Sequence, residues 1–122
     1  NIIAVMPTFL EQTESLENLQ TDKKSVQTLF ERKKTMLELA DGFIALPGGL
    51  GTLDEITEIL ALLQLRQIAK PIGFLNLNHF YKPLFAMLHH FQENSLIHHS
   101  VEKHVVVSEE PADLLDSLIR KI

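Results

Sequence analysis

A proline followed by three glycines within four residues constrains this chain more than any other feature. The apolar run Phe43-Ile44-Ala45-Leu46 stops at Pro47; Gly48, Gly49 and Gly51 follow, and a long helical pattern opens at Thr52. A strand, a glycine turn and a helix start, in that order, form an anion site. Glycine lets the backbone approach a ligand, and the first-turn N–H groups point at it with the helix dipole behind them. Residues 46–55 are therefore expected to hold a nucleotide phosphate.

The remaining pattern alternates strands with helices. Ile2-Ile3-Ala4-Val5-Met6 reads as a buried strand, 2–6, ended by Pro7. A chain that opens at Asn1 inside a core strand reads as a domain lacking an upstream segment. A polar, acidic loop with Glu11, Glu14 and Glu17 leads to a helix expected over 23–40, with Val26, Leu29, Phe30, Met36, Leu37 and Ala40 on one face. Asp41-Gly42 is expected to end it as a glycine cap. Strand 43–46, the glycine turn and helix 53–68 follow. Lys70-Pro71 breaks that helix before strand 72–75. A helix over 80–92, a strand over 105–107 and a last helix over 110–121 complete the pattern, with Ser108 as N-cap and Pro111 in the first turn. Strands that are continuous apolar runs, alternating with helices, predict an α/β fold: one Rossmann-like domain with a parallel sheet covered by helices on both faces. Ligands bind such sheets beyond the carboxyl ends of the strands, where the glycine turn lies.

Composition narrows the function classes. The formal net charge is -5 and the lysines form no long run, so there is no electrostatic footprint for nucleic acid. With no cysteine, neither a disulfide framework nor a thiolate metal site can form, which fits a cytoplasmic protein. No apolar run approaches membrane-spanning length, so no membrane partner is expected. His89-His90 and His98-His99 are adjacent pairs, a spacing that does not suit metal ligands, and no metal site is expected.

The glycine turn matches neither standard nucleotide fingerprint: the third glycine of G-x-G-x-x-G would fall on Asp54, and no G-K-[ST] follows. Thr52-x-x-Glu55 also reads as a capping box, with Glu55 reaching back to the helix start. The upstream helix bears on this choice. At about 100° per residue, Lys33 falls inside the apolar stripe and Arg32 on its edge. A cation there either snorkels to solvent or has an anionic partner, and both readings stay open.

Two stretches, Glu31-Arg32-Lys33-Lys34-Thr35-Met36 and Ala40-Asp41-Gly42-Phe43-Ile44-Ala45-Leu46-Pro47-Gly48-Gly49-Leu50-Gly51-Thr52-Leu53-Asp54-Glu55, closely resemble the Lonely Guy family of cytokinin riboside 5'-monophosphate phosphoribohydrolases, often labelled possible lysine decarboxylases. The paired signature, R-K-x-x-M then P-G-G-x-G-T-x-x-E, is intact. Gln64-Leu65, Lys70-Pro71-Ile72-Gly73 and Tyr81 agree with it, and the resemblance covers essentially the whole chain.

The resemblance implies a Rossmann-like homodimer that hydrolyses the N-glycosidic bond of an adenosine-type monophosphate, without a cofactor, to free base and ribose 5-phosphate. It places the catalytic pair on Arg32 and Glu55 and the phosphate and ribose loop on Gly48, Gly49, Leu50, Gly51, Thr52, Leu53 and Asp54. Lys33 and Glu14 join the substrate shell. A carboxylate near the sugar suits the positive charge that develops at the ribose as the base departs. Arg32 can hold Glu55 ionised or bind the phosphate through its planar fork. Leu29-Phe30 and Asn78-His79-Phe80 depart from the family's usual Met-His and Asp-Gly-Tyr, and an upstream glycine-rich segment of the family is not in this chain. Nothing in the sequence resembles a pyridoxal phosphate lysine site, so decarboxylation is not expected. Helix 53–68, with Leu53, Ile56, Leu60 and Leu63 on one face and Leu62 and Leu65 on others, is buried on several sides, inside the domain or in a dimer. A non-catalytic nucleotide-binding module on the same fold is the second function class; such a module has no need of the Arg32–Glu55 pair.

Overall fold

A computed structural model describes residues 3–10 and 22–122; Glu11, Glu14 and Glu17 lie outside the described residues. The chain divides into two units, Asn1–Ala40 and Asp41–Ile122, each described by itself.

In the first unit, strand β1 (Ile3–Pro7) pairs in parallel with β2 (Asp22–Val26), in register from Ile3 opposite Asp22 to Pro7 opposite Val26. Met6, Pro7 and Val26 are buried. Helix α1 runs over Leu29–Leu39. The helix expected over 23–40 is thus a strand and a shorter helix. Its start is fixed by Thr28, whose Oγ1 accepts from the Glu31 N–H at 3.0 Å, while Glu31 Oε2 accepts from the Gln27 N–H at 2.7 Å. That arrangement is a capping box in all but the last donor, the Gln27 N–H standing in for that of the N-cap Thr28, and it puts Val26 outside the helical stripe. Leu29 and Phe30 are exposed as well, so the stripe read around Lys33 is not formed as expected. The helix ends at Ala40 in extended backbone, and none of the five glycines has a positive φ, so Gly42 is not a left-handed cap.

In the second unit the order is β3 (Phe43–Ala45), α2 (Leu50–Gln64), β4 (Ile72–Leu75), α3 (Lys82–Glu93), β5 (Val105–Ser108) and α4 (Pro111–Ile119). The three strands are parallel, in the order β3-β4-β5. The central strand explains the layering. All four residues of β4 are buried, and their side chains alternate between faces. A Cβ on Gly73 would come within 3.0 Å of Leu114 in α4. The next residue, Phe74, turns the other way, its ring edge-on to Tyr81 at 5.2 Å and to Phe85 of α3 at 5.3 Å. Helices therefore cover both faces of β4, as its unbroken apolar run predicts. The parallel α/β class expected from the sequence is the one observed.

Two helix starts differ from expectation. Helix α2 begins at Leu50, so Thr52 is its third residue and Thr52-x-x-Glu55 is not a capping box. Helix α4 has Glu110 at its N-cap; Ser108 Oγ instead accepts from the Glu110 N–H at 3.1 Å. Among the described residues, no helix is long and apolar enough to cross a membrane.

Candidate active site

The carboxyl ends of β3, β4 and β5 lie side by side and deliver Leu46, Asn76 and Ser108 to one edge of the sheet. The Asn76 N–H donates to the Ser108 carbonyl at 2.8 Å, which extends the ladder one residue past the strands. From the end of β3 the chain turns through Pro47 and Gly48 into α2, whose N-cap is Gly49.

Helix α2 starts open. Its first backbone bond runs from the Leu53 N–H to the Gly49 carbonyl at 3.0 Å, so the N–H groups of Leu50, Gly51 and Thr52 precede the first available helical acceptor. No side chain caps this end among the described residues, and its first turn holds no acidic residue. The contrast is with α1, closed by Thr28 and Glu31. The positive end of the α2 dipole is left for something else.

The glycines divide by cause. A Cβ on Gly48 would lie 2.2 Å from Thr52 Oγ1, so the turn's own packing requires glycine there. At Gly49 and Gly51 a Cβ would meet nothing within 4 Å among the described residues, and neither has a positive φ. Neither crowding by the described residues nor backbone strain explains those two. Open space over both, beside uncapped amides, is the form of a cradle for an anion.

Glu55 lies on this same helix. It follows Gly51 by four residues and Thr52 by three, so all three share a face, with Glu55 about 6 Å further along the axis. Its side chain is half-buried, while Leu50, Leu53 and Asp54 are exposed and Ile56, Ile59, Leu60 and Leu63 turn into the core. Leu53 is thus not part of the buried face expected of it.

Arg32 and Lys33 are carried by α1 in the first unit, both half-buried, with the Arg32 Nε shielded from solvent. Lys34 points to solvent and pairs with Glu38 at 3.9 Å. Glu14 falls outside the described residues. Among the described residues, no group of three or more His, Asp or Glu converges as a metal site.

Tyr81, a point of agreement with the family signature, touches the glycine turn. The Tyr81 hydroxyl donates to the Leu46 carbonyl, one residue before Pro47. The ring is buried, and burial raises the pKa of the hydroxyl above its usual value. Tyr81 is the sole tyrosine beside seven phenylalanines, but its partner 35 residues away leaves no mark in the sequence.

The sequence profile of the family described as possible lysine decarboxylase matches residues 1–118. The chain is 35% identical over 118 residues to a rice (Oryza sativa subsp. japonica) protein named probable cytokinin riboside 5'-monophosphate phosphoribohydrolase LOGL2, covering 97% of this chain and 48% of the relative. It is 39% identical over 88 residues to the rice cytokinin riboside 5'-monophosphate phosphoribohydrolase LOG, covering 72% of this chain and 36% of that protein. To Arabidopsis thaliana LOG1, of the same printed activity, it is 33% identical over 122 residues, covering 100% of this chain and 55% of the relative. The chain thus spans about half the length of the relatives matched over nearly all of it.

Proposed function

This chain belongs to the Lonely Guy family, the one described as possible lysine decarboxylase, and from that premise we propose that it hydrolyses the N-glycosidic bond of a nucleoside 5'-monophosphate. The substrate is a cytokinin riboside monophosphate or AMP, and the products are free base and ribose 5-phosphate. One observation carries the reading beyond the relatives' names. Among the described residues the space over Gly49 and Gly51 is open and α2 has no side-chain cap, and a half-buried carboxylate follows one turn inward on the same face.

In this reading the phosphate binds the N–H groups of residues 50–52, in the loop formed by Gly48, Gly49, Leu50, Gly51, Thr52, Leu53 and Asp54. Binding the phosphate fixes the ribose against Glu55. As the C1'–N bond breaks, positive charge grows on the ribose and negative charge on the base. Glu55 stabilises the former and orients the water that adds to C1'. Arg32 is the second catalytic residue, its fork suited to a phosphate or a carboxylate; Lys33 and Glu14 complete the substrate shell. The protein works without a cofactor, as a cytoplasmic homodimer.

The test follows free adenine from AMP, and free base from N-alkylated analogues, with the full-length protein. Glu55→Gln is expected to bind nucleotide normally and lose at least about a hundredfold in turnover, the usual scale for a positioned acid or base. Normal turnover in Glu55→Gln would remove Glu55 from the chemistry. A wild-type protein that binds AMP but releases no base would instead be a nucleotide-binding module.

A further inference from the structure

We propose that Tyr81 is a positioning residue for the nucleotide phosphate, its hydroxyl holding the Leu46 carbonyl and through it the Pro47-Gly48-Gly49 turn. The inference rests on the phosphoribohydrolase reading and adds to it a residue 35 positions from the turn it controls.

Apart from the close packing of Gly48 on Thr52, few contacts among the described residues fix the turn. The last paired residue of β3 is Ala45, opposite Phe74, so Leu46 lies past the ladder. Pro47 has no N–H to donate. The Leu46 side chain is exposed, as are Pro47, Gly48 and Gly49. Between the ladder and the first helical bond of α2, the Tyr81 hydroxyl is a tether from the sheet's own core.

Tyr81 is itself held rigidly. Its ring is edge-on to Phe74 of β4 at 5.2 Å and to Phe80 at 5.1 Å, and tilted against Phe85 of α3 at 6.2 Å. Its N–H donates to the Oδ1 of buried Asn76 at 2.8 Å. Asn76 is bound in turn to Ser108 at the end of β5. A continuous line of contacts thus runs from the central strand through one ring to the backbone beside the phosphate cradle.

The chemistry of the position argues for the hydroxyl's purpose. Every other ring in this cluster is phenylalanine. Packing alone would favour phenylalanine at 81 too, because a buried hydroxyl costs free energy unless it is hydrogen-bonded. Among the described residues the acceptor of that hydroxyl is the Leu46 carbonyl, which belongs to the turn and not to the cluster.

The experiment uses the full-length protein with AMP as substrate and compares Tyr81→Phe with Phe80→Leu. Tyr81→Phe is expected to raise KM for AMP about tenfold with kcat within about twofold, and to speed amide exchange at residues 48–51. Phe80→Leu disturbs the same ring cluster but keeps the hydroxyl, and should leave KM and that exchange unchanged. An unchanged KM in Tyr81→Phe beside an active wild type overturns the proposal, even where the melting temperature falls. So does an equal KM rise in Phe80→Leu, which would assign the effect to packing. If Tyr81→Phe does not fold, Phe80→Leu is read against wild type by exchange, and loosening at 48–51 with the hydroxyl intact overturns the proposal in the same way. A wild type that neither binds AMP nor releases adenine defeats the phosphoribohydrolase reading first, and the role of Tyr81 with it.

Discussion

Gly48, Gly49 and Gly51 carry the same side chain for different reasons, and single substitutions separate them. Gly48→Ala forces its methyl into Thr52, 2.2 Å from Oγ1 and 2.9 Å from Cβ. The helix start must shift, at a cost of about 1–3 kcal/mol. Gly51→Ala meets no such obstacle, and in a helical first turn it is expected to raise stability by up to about 1 kcal/mol. If a phosphate uses the open space, Gly51→Ala nevertheless weakens AMP binding at least tenfold. Denaturant melts and titration calorimetry read the two effects apart; a more stable variant that binds AMP as well as wild type would sink the cradle. Tyr81 adds a pH signature. Its folded-state pKa is raised by burial above the ordinary value of 10.0. Above about pH 10 the unfolded chain therefore loses this proton while the folded chain keeps it, and stability falls as pH rises. Melting temperatures between about pH 9 and 11 should decline more steeply for wild type than for Tyr81→Phe, since only wild type carries this proton; parallel curves would contradict the burial.

At the scale of elements, the link from β4 to α3 shows where a local departure is stored. Asn78 and His79 both have positive φ, 49° and 58°, in the region that favours glycine. His79 contacts Glu109 at 3.4 Å, but both side chains are well exposed, so the pair offsets little of that strain. His79→Gly is expected to stabilise the protein by about 1 kcal/mol, read as a rise in unfolding midpoint at unchanged denaturant slope. The same region shows what a sequence can convey. Strand β4 was legible because burial on both faces leaves no polar position in Ile72-Gly73-Phe74-Leu75. Strand β2 was not, because Asp22-Lys23-Lys24-Ser25 is exposed and only Val26 is buried, so no alternation marks it. Its true boundary lay in Thr28 and Glu31, a capping signal hidden inside what read as one helix. The start of α2 was misplaced by three residues because Gly51 read as turn while it sits in the first helical turn. The strand, glycine turn and helix start at residues 43–52 were legible from Pro47 and the glycines. The tether at Tyr81 was not, since a hydrogen bond across 35 residues leaves no local pattern.

At the scale of the molecule, the proposed dimer can be tested on one apolar groove of the second unit. Within the second unit, α2, α3 and the segment over 97–105 enclose an apolar groove of about 630 Å³, lined among others by Leu60, Leu65, Phe85, Leu88, Phe91 and Ile97. Its floor is built: Gln64 Nε2 donates to the Leu96 carbonyl at 2.9 Å, and Gln64 Oε1 accepts from the His98 N–H at 2.8 Å, pinning that segment to α2. Leu65 in its lining is 66% exposed, and Leu96, next to the lining residue Ile97, is 62% exposed. A stable homodimer needs about 800 Å² from each partner and a hydrophobic centre, and a second copy seated here would bury these leucines together. Leu65 is the residue to test, because an exposed side chain at the end of α2 can be changed with little effect on the fold, within about 0.5 kcal/mol. A carboxylate there would be desolvated in the interface without a partner, at a cost of several kcal/mol per copy. Leu65→Glu in the full-length protein is therefore expected to sediment at half the wild-type mass, with its melting curve nearly unchanged at low concentration. A wild type that sediments as a monomer removes the dimer, and a Leu65→Glu variant that remains a dimer moves the interface to another face.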